Sequence, residues 1–249
     1  MNGHSMLRLD EREAHVWLAL PDRITDPRLL RDYQDLLSSG EHDRLQRLRF
    51  ERHRRERLIS TALVRTTLSR YADVKAKEWL FERNEHGRPG LAPGQCELPL
   101  HFNLSHTTRL VACAVTLGRE IGVDVEDLER PRTTMAIADH YFAPTEVRAL
   151  QALSAAERRQ RFFEYWTLKE AYVKARGMGL ALPLRKFFFE LEPERPIRIS
   201  FESSVDDDPA SWQFALFRPK PHHVMALGIR RGNVADLEIR VRETVPSSC

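Results

Sequence analysis

The stretch IGVDVE at residues 121–126 alternates between two kinds of residue, as a β-strand with two different faces does. Its three aliphatic side chains are expected to point into a core, while Asp124 and Glu126 lie side by side on the opposite face. Like charges held this close repel each other unless a cation or a donor lies between them. Carboxylate oxygens so arranged suit Mg²⁺, which binds one or two carboxylates together with substrate phosphates. The alternative is a half-exposed edge strand with two solvated acids.

A second cluster, YWTLKEAYVK at residues 165–174, has apolar residues at helical spacing, with Trp166 and Val173 on the side expected to face a core. Glu170 and Lys174 lie four residues apart and therefore project from the same face of the helix. In a functional interpretation, Glu170 adds a third carboxylate to Asp124 and Glu126, and Lys174 adds a cation beside the same substrate phosphate. The alternative is a surface ion pair that contributes only about 0.3 kcal/mol.

A third cluster, HFNLSH at residues 101–106, places Asn103 and Ser105 on one face of a strand and His106 at the following turn. A hydroxyl and an imidazole at the end of a strand can bind an anion. A capped hairpin turn is one alternative, and a Ser–His hydrolase is another. Ser105 does not lie in the G-x-S-x-G pattern of such hydrolases, which weighs against the second alternative.

Composition places the chain among globular proteins. Of its 249 residues 42% are hydrophobic and 30% charged, and 12 Phe, 5 Tyr and 4 Trp exclude wholesale disorder. The longest apolar run, at residues 111–117, is too short for a membrane span, and the acids at residues 10, 11 and 13 argue against a signal peptide. Three cysteines without a C-x-x-C motif predict a reducing, cytoplasmic setting with no disulfide framework and no zinc knuckle.

The net charge is only +3, but arginine dominates the basic residues, with 33 Arg against 6 Lys. Arginine presents a planar fork of donors that matches phosphates and carboxylates. Residues 41–65 contain eight arginines and four acids. This stretch is either a solvated helix face or a surface that binds anions.

The order of predicted elements indicates an α+β fold made of two similar halves, 1–118 and 119–249. The first half reads as a strand at 15–20, helices at 26–37 and 41–71, and strands at 79–83, 101–104 and 110–117. The second reads as a strand at 121–126, a helical region at 133–175 broken near Pro144, and strands at 186–191, 197–201, 212–217, 223–229 and 237–241. Residues 109–115 and 223–229 read as similar buried strands, which hints at internal duplication.

Together these clusters resemble the motifs of the Sfp-type 4′-phosphopantetheinyl transferases. The family's patterns are met, in the family's order, by GRP at 87–89, FNLSH at 102–106, IGVDVE at 121–126 and WTLKEAYVK at 166–174. The resemblance implies two α+β halves related by a pseudo-twofold axis, with the active site in the cleft between them. The N-terminal half would contact the adenosine and phosphates of coenzyme A, and the C-terminal half would carry the metal-binding carboxylates and the catalytic helix.

The resemblance also implies a reaction. The 4′-phosphopantetheine arm of coenzyme A would be transferred to a serine of an apo acyl or peptidyl carrier protein, with adenosine 3′,5′-bisphosphate as the second product. Asp124, Glu126 and Glu170 would hold Mg²⁺, with Mn²⁺ left open as a substitute. Glu170 is also the candidate general base, directly or through a water, and forms the catalytic set with Asp124 and Lys174. Lys174 would steady the pyrophosphate.

Further coenzyme A contacts follow from the resemblance. Arg88, Ser105 and His106 match family positions around the adenosine end and its 3′-phosphate. Lys169 is a candidate phosphate contact, although an ideal helix turns it about 100° away from Glu170. The arginine-rich helix would add contacts from Arg49, Arg54 and Arg57.

The implied partners are apo carrier proteins and coenzyme A, with neither nucleic acid nor membrane. A chain that supplies both halves of the cleft favours a monomer. One competing interpretation is a catalytically idle paralogue that binds carrier proteins, but the complete set of carboxylates and Lys174 argues against it. Another is an arginine-rich nucleic-acid-binding protein, but no recognisable nucleic-acid motif is present.

Overall fold

A computed structural model describes residues 6–130 and 135–247. The strands are β1 Glu13–Ala19, β2 Phe81–Arg83, β3 Pro89–Leu91, β4 Leu100–Thr107, β5 Leu110–Leu117, β6 Ile121–Asp127, β7 Phe187–Glu190, β8 Arg198–Phe201, β9 Trp212–Phe217, β10 His223–Arg230 and β11 Glu238–Glu243. The helices are α1 Pro27–Asp35, α2 Ser39–Gln46, α3 Glu51–Leu68, α4 Met135–Tyr141, α5 Pro144–Gln151 and α6 Ala155–Arg176. This mixture confirms the α+β class, and within the described ranges no helix is long and apolar enough to cross a bilayer. The pseudo-twofold axis and the cleft stay predictions.

The first unit comprises, among the described residues, 6–83, 89–118 and 238–247. Its four-stranded sheet has the order β11-β1-β5-β4. Helix α3 packs its buried face, including Ile59 and Leu63, in one apolar core with Val111, Cys113 and Val115 of β5. These β5 residues are spaced two apart and so lie on one face of the sheet.

The position of β11 shows that the predicted division into halves 1–118 and 119–249 is wrong for the last strand. It was expected in the C-terminal half, but it pairs in parallel with β1, from Glu13 opposite Glu238 to Leu18 opposite Glu243. Residues 84–88, in contrast, belong to the second unit. A strand's alternation shows which face is apolar but not which edge it joins, because parallel partners can be far apart in sequence. The observed units therefore differ from 1–118 and 119–249 at these two segments.

The predicted helix over 41–71 is two helices, because the chain leaves the helical path at residues 47–50. Helix α2 begins with a capping box, in which Ser38 and Glu41 exchange hydrogen bonds. The guanidinium of Arg54 donates from Nη1 to the carbonyl oxygen of Leu48 at 2.9 Å, which satisfies one backbone acceptor at the break. No Gly or Pro marks the break, so the sequence pattern gave no signal for it.

A buried histidine of β1, His15, contacts Tyr71 in the segment that follows α3. His15 Nδ1 is 2.8 Å from the Tyr71 hydroxyl and Nε2 is 3.0 Å from Glu13 Oε2, while Trp17 Nε1 donates to the same hydroxyl at 2.7 Å. Burial lowers the pKa of His15 from its ordinary value of 6.5, although Glu13 acts in the opposite direction. The imidazole is therefore held neutral at neutral pH.

This depressed pKa has a consequence for stability. The unfolded chain takes up a proton at His15 before the folded chain does, so stability is present above pH 6.5 and is lost as the pH falls below it. We expect the free energy of unfolding, measured in urea between pH 7 and 5, to fall less steeply in His15→Gln than in the wild type. His42→Gln, at an exposed position, is the control and should keep the wild-type slope. Equal slopes for all three proteins would contradict this account.

The second unit is built on the sheet β6-β10-β9, with α6 lying across one face. In this sheet Gly122 of β6 lies opposite Gly228 of β10. Ala171 and Ala175 of α6 are fully buried in the core of this unit, together with Val224 and Ala226 of β10. The small residues at the crossing allow helix and sheet to approach closely. Of the predicted helical region, residues 133 and 134 lie outside the described residues.

Candidate active site

The carboxylate-bearing face of β6 is buried. Asp124 is 5% exposed and Glu126 is 8% exposed, so the alternative of an exposed strand with two solvated acids is wrong. The aliphatic residues Ile121, Val123 and Val125 are buried as expected. Two acids on one buried face need compensating groups, because ionised carboxylates are costly to remove from water.

Gly122 explains why α6 covers this face. A Cβ at residue 122 would lie 2.0 Å from the carbonyl oxygen of Ala171 and 2.5 Å from the amide nitrogen of Ala175. Only glycine leaves room for the helix backbone here. Because Gly122, Asp124 and Glu126 share one face, the glycine that admits α6 also turns the two carboxylates toward it.

Lys174 of α6 contacts β6 directly. Its Nζ donates to Asp124 Oδ1 at 2.6 Å and to the carbonyl oxygen of Val123 at 3.2 Å. Glu170, one helical turn earlier, is partly buried near these groups. Burial and the charge of Asp124 raise the pKa of the Glu170 carboxyl, and Lys174 opposes this rise. The sequence prediction that places Glu170 and Lys174 beside Asp124 is thus consistent with the charges that act on Glu170.

Glu126 responds to the same neighbours. Burial, followed by the charge of Asp124, raises its pKa to about 7, whereas Arg130 and Lys174 lower it. Arg130 Nη1 lies 3.3 Å from Glu126 Oε2. The charge of Asp124 thus raises the pKa of both glutamates, and a cation placed among these carboxylates would stabilise their charged forms.

The donor chemistry of this cluster fits a hard divalent cation, because Mg²⁺ prefers carboxylate oxygens. Among residues 6–130 and 135–247, however, no three His, Cys, Asp or Glu side chains stand together in metal-binding geometry. In this conformation the ammonium of Lys174 supplies the positive charge at Asp124.

The surroundings of Lys169 contradict its predicted role as a phosphate contact. Its ammonium is 0% exposed, at 2.8 Å from Glu146 Oε2, and donates to the carbonyl oxygens of Leu184 and Phe187 at 2.8 and 2.6 Å. Three acceptors match its three N–H groups, so none is directed to a phosphate. Burial lowers the pKa of Lys169 to about 8, against the effect of Glu146. The structure gives Lys169 a structural role in place of the predicted phosphate contact.

A basic pocket of about 430 Å³ lies in the first unit. Its lining includes the exposed arginines Arg44, Arg57 and Arg83 and an apolar floor with Phe81 and Phe102. Arg57 was a candidate from the sequence. Arg44 belongs to the arginine-rich stretch in which the sequence left the individual contacts open, whereas Arg83 lies outside it. Arg44 comes from α2 and Arg83 from β2, and only folding brings them beside α3.

The other two candidate arginines of α3 and its preceding loop do not line this pocket. The Arg49 guanidinium lies 5.7 Å from the centre of the exposed Phe50 ring. The Arg54 guanidinium donates from Nη1 to the carbonyl oxygen of Leu48 and from Nε to Glu51 Oε2, each at 2.9 Å. The predicted coenzyme contacts by Arg49 and Arg54 thus have no support in the pocket geometry.

The structure shows the contacts or exposure of the three residues that the resemblance assigns to the adenosine end of coenzyme A: Arg88, Ser105 and His106. Arg88 donates to two backbone carbonyl oxygens of the second unit, those of Ala175 and Ile121. Ser105 is buried and His106 exposed, and both lie inside β4, which continues to Thr107. The strand predicted over 101–104 therefore continues further than expected, and His106 lies in the strand and not at the following turn. Neighbouring strand residues point to opposite faces, which argues against a Ser105–His106 nucleophile and base.

Comparison with known proteins gives a consistent result. Residues 120–227 match the model of the 4′-phosphopantetheinyl transferase superfamily, and residues 27–117 match that of the 4′-phosphopantetheinyl transferase N-terminal region. The chain is 35% identical to the 4′-phosphopantetheinyl transferase HetI of Nostoc sp. over 193 residues, which are 78% of this chain and 80% of the relative. It is 29% identical to the 4′-phosphopantetheinyl transferase Sfp of Bacillus subtilis over 173 residues, 69% and 74% of the two chains.

A solved structure, the holo-[acyl-carrier-protein] synthase of Thermotoga maritima, aligns over 49% of this chain and 64% of its own, with 23% identity and a TM-score of 0.36. The family models match the segments that carry β6, α6 and the basic pocket, and the relative from Nostoc sp. covers most of both chains. The chain belongs to the 4′-phosphopantetheinyl transferase superfamily.

Proposed function

We propose that this transferase moves the 4′-phosphopantetheine arm of coenzyme A to a serine hydroxyl of an apo acyl or peptidyl carrier protein. The serine oxygen forms a bond to the β-phosphorus of coenzyme A, and the bond from that phosphorus to the oxygen bridging the α-phosphorus breaks. Adenosine 3′,5′-bisphosphate leaves with the bridging oxygen, and the serine proton passes to a base. No oxidant or reductant is needed.

One observation carries this proposal: on β6 and α6, the charges of Asp124 and Lys174 act on both Glu126 and Glu170, inside the segment that matches the transferase superfamily. Phosphoryl transfer needs this combination, because charge on the pyrophosphate must be neutralised and the attacking hydroxyl must lose a proton. A nucleic-acid-binding protein has no need of a buried acidic cluster.

The residues take these proposed roles. Asp124, Glu126 and Glu170 would hold Mg²⁺, or Mn²⁺ in its place, which when bound neutralises charge on the pyrophosphate oxygens. Lys174 Nζ is the cation that the pyrophosphate would meet, once its present bond to Asp124 exchanges. Glu170 Oε would accept the serine proton, directly or through a water, and its raised pKa makes it a stronger proton acceptor than an ordinary carboxylate.

The basic pocket of the first unit is the proposed site for the phosphate-bearing nucleotide end of coenzyme A. Arg44, Arg57 and Arg83 offer cationic forks at its rim, and Phe81 and Phe102 offer an apolar floor for a base. Contacts from Ser105 and His106 remain proposals from the family resemblance.

We expect Arg57→Gln and Arg44→Gln each to weaken coenzyme A binding about 10-fold, because each removes a charge-assisted hydrogen bond to phosphate. Isothermal titration of the protein with coenzyme A measures this loss. Arg52→Gln is the matched control, since Arg52 is exposed on α3, the helix that carries Arg57, but does not line the pocket. An equal loss in all three variants would show that general charge, and not the pocket, binds the coenzyme.

The proposed function is tested by intact-mass analysis of apo carrier proteins incubated with this protein, coenzyme A and Mg²⁺. We expect a mass gain of one phosphopantetheine arm, absent when EDTA is added. Carrier proteins of fatty-acid, polyketide and nonribosomal peptide synthesis should be tried in parallel, because the Trp-x-x-Lys-Glu-Ala sequence at residues 166–171 resembles the branch of the family that often serves varied carrier proteins. Coenzyme A binding without transfer to any carrier would favour an idle paralogue.

We further propose that the protein acts in the cytoplasm as a monomer, without nucleic-acid or membrane partners. Retention on a DNA column that persists at physiological salt would contradict this part.

A further inference from the structure

Residues 84–88 form a turn that is rigid by its own hydrogen bonds. Asn84 Oδ1 accepts the backbone N–H groups of His86 and Arg88 at 3.1 and 2.8 Å. The backbone N–H of Gly87 donates to the carbonyl oxygen of Asn84 at 2.9 Å, and the φ of Gly87 is +84°, which favours glycine. Asn84 and Arg88 are therefore held in a defined orientation.

Both side chains of this turn reach the catalytic elements of the second unit. Arg88 donates from Nη1 to the carbonyl oxygen of Ala175 at 2.5 Å and from Nη2 to that of Ile121 at 3.1 Å. Asn84 Nδ2 donates to the carbonyl oxygen of Gly177 at 2.8 Å. One guanidinium thus joins the last turn of α6 to the first residue of β6.

The end of α6 is shaped to receive this turn. Gly177 ends the helix with a φ of +64°. A Cβ at this position would lie 2.8 Å from Arg88 Cδ and 3.1 Å from Asn84 Nδ2. The carbonyl groups at a helix C-terminus carry partial negative charge, so the partly buried guanidinium of Arg88 is stabilised there.

We propose that Arg88, oriented by Asn84, is a positioning residue that sets the distance between α6 and β6. Its two acceptors flank the functional groups: Ala175 follows Lys174, and Ile121 begins the strand that carries Asp124. The fork therefore fixes Lys174 and Glu170 against Asp124. This inference rests on the proposed function, and it replaces the expected contact of Arg88 with the adenosine end of coenzyme A.

The planar, forked guanidinium of Arg88 is essential to its positioning role. A guanidinium can donate in one plane to two carbonyl oxygens on different elements, whereas a lysine ammonium is a point charge on a flexible chain. Arg88→Lys keeps the charge but should lose the bridge. A displacement of about 1 Å between reacting groups costs on the order of 100-fold in rate, so kcat should fall while coenzyme A binding is kept.

The test compares Arg88→Lys and Asn84→Ala with the wild type in steady-state transfer to an apo carrier protein. We expect kcat to fall about 10-fold or more in both variants, with the KM for coenzyme A within about twofold of the wild type. Arg195→Lys is the matched control, because Arg195 is exposed in the same unit, and it should keep both constants. Melting temperatures show whether each variant is folded. If Arg88→Lys does not fold, Asn84→Ala alone tests the proposal.

A raised KM with unchanged kcat in Arg88→Lys would overturn the inference and restore a coenzyme contact. Unchanged constants in both variants would overturn it as well. Hydrogen exchange of residues 170–176 gives a readout that does not depend on activity: we expect faster exchange in both variants. If the wild type transfers nothing, the proposed function fails, and unchanged exchange would then overturn the positioning role separately.

Discussion

Asp124→Asn is expected to lower the rate of phosphopantetheinyl transfer by about 10²- to 10³-fold, the largest loss that any single substitution in this chain should cause. The carboxylate is 2.6 Å from Lys174 and raises the proton affinity of both Glu126 and Glu170. Asparagine keeps the shape but removes the charge that links these groups. Intact-mass kinetics on an apo carrier protein at saturating Mg²⁺ measure the loss.

Asp206→Asn is the matched control for this substitution, because Asp206 is exposed in the same unit. It should transfer at the wild-type rate. Coenzyme A binding by Asp124→Asn, followed by titration, should stay within about threefold of the wild type if the basic pocket supplies most of the affinity. Full activity of Asp124→Asn would remove the carboxylate cluster from the mechanism.

Lys169→Met is expected to lower the free energy of unfolding by about 3–5 kcal/mol, the largest stability loss that we predict. The substitution leaves the Glu146 carboxylate without its cation in a fully buried place. That carboxylate also accepts the backbone N–H groups of Ala143 and Phe189, each at 3.0 Å, so the pair joins α5, α6 and β7. Urea denaturation at neutral pH measures the change.

Lys186→Met is the control for this prediction. Lys186 pairs with Glu202, but both side chains are nearly half exposed, so the loss should be no more than about 1 kcal/mol. Similar losses in the two variants would mean that the buried pair contributes no more than a surface pair, contrary to our account.

The predicted faces of two elements were correct, and the reason is local geometry. Side chains alternate along a strand and repeat every 3.6 residues along a helix. From these periods alone, Asp124 and Glu126 share a face, and Lys169 points away from Glu170. The motif resemblance added the chemistry, and the family comparison confirmed the class of enzyme.

The same periods could not show what each face meets. Lys169 is adjacent to Glu170 in the motif, yet its partner Glu146 lies 23 residues earlier and becomes a neighbour only when α5 packs beside α6. Arg88 is in a motif that the resemblance assigned to coenzyme contacts, but its bonds go to carbonyl groups of α6 and β6. Distant partners of this kind carry no periodic signal.

The amino-acid sequence by itself determined the α+β class, the transferase motifs and which side chains could share a face, because these depend on residue types and short spacings. Only the tertiary structure decided that the acids of β6 are buried, that β11 joins β1, and that Arg44 and Arg83 meet Arg57 at one pocket. The physical reason is that burial, strand-edge choice and pocket walls depend on packing between segments far apart in the chain.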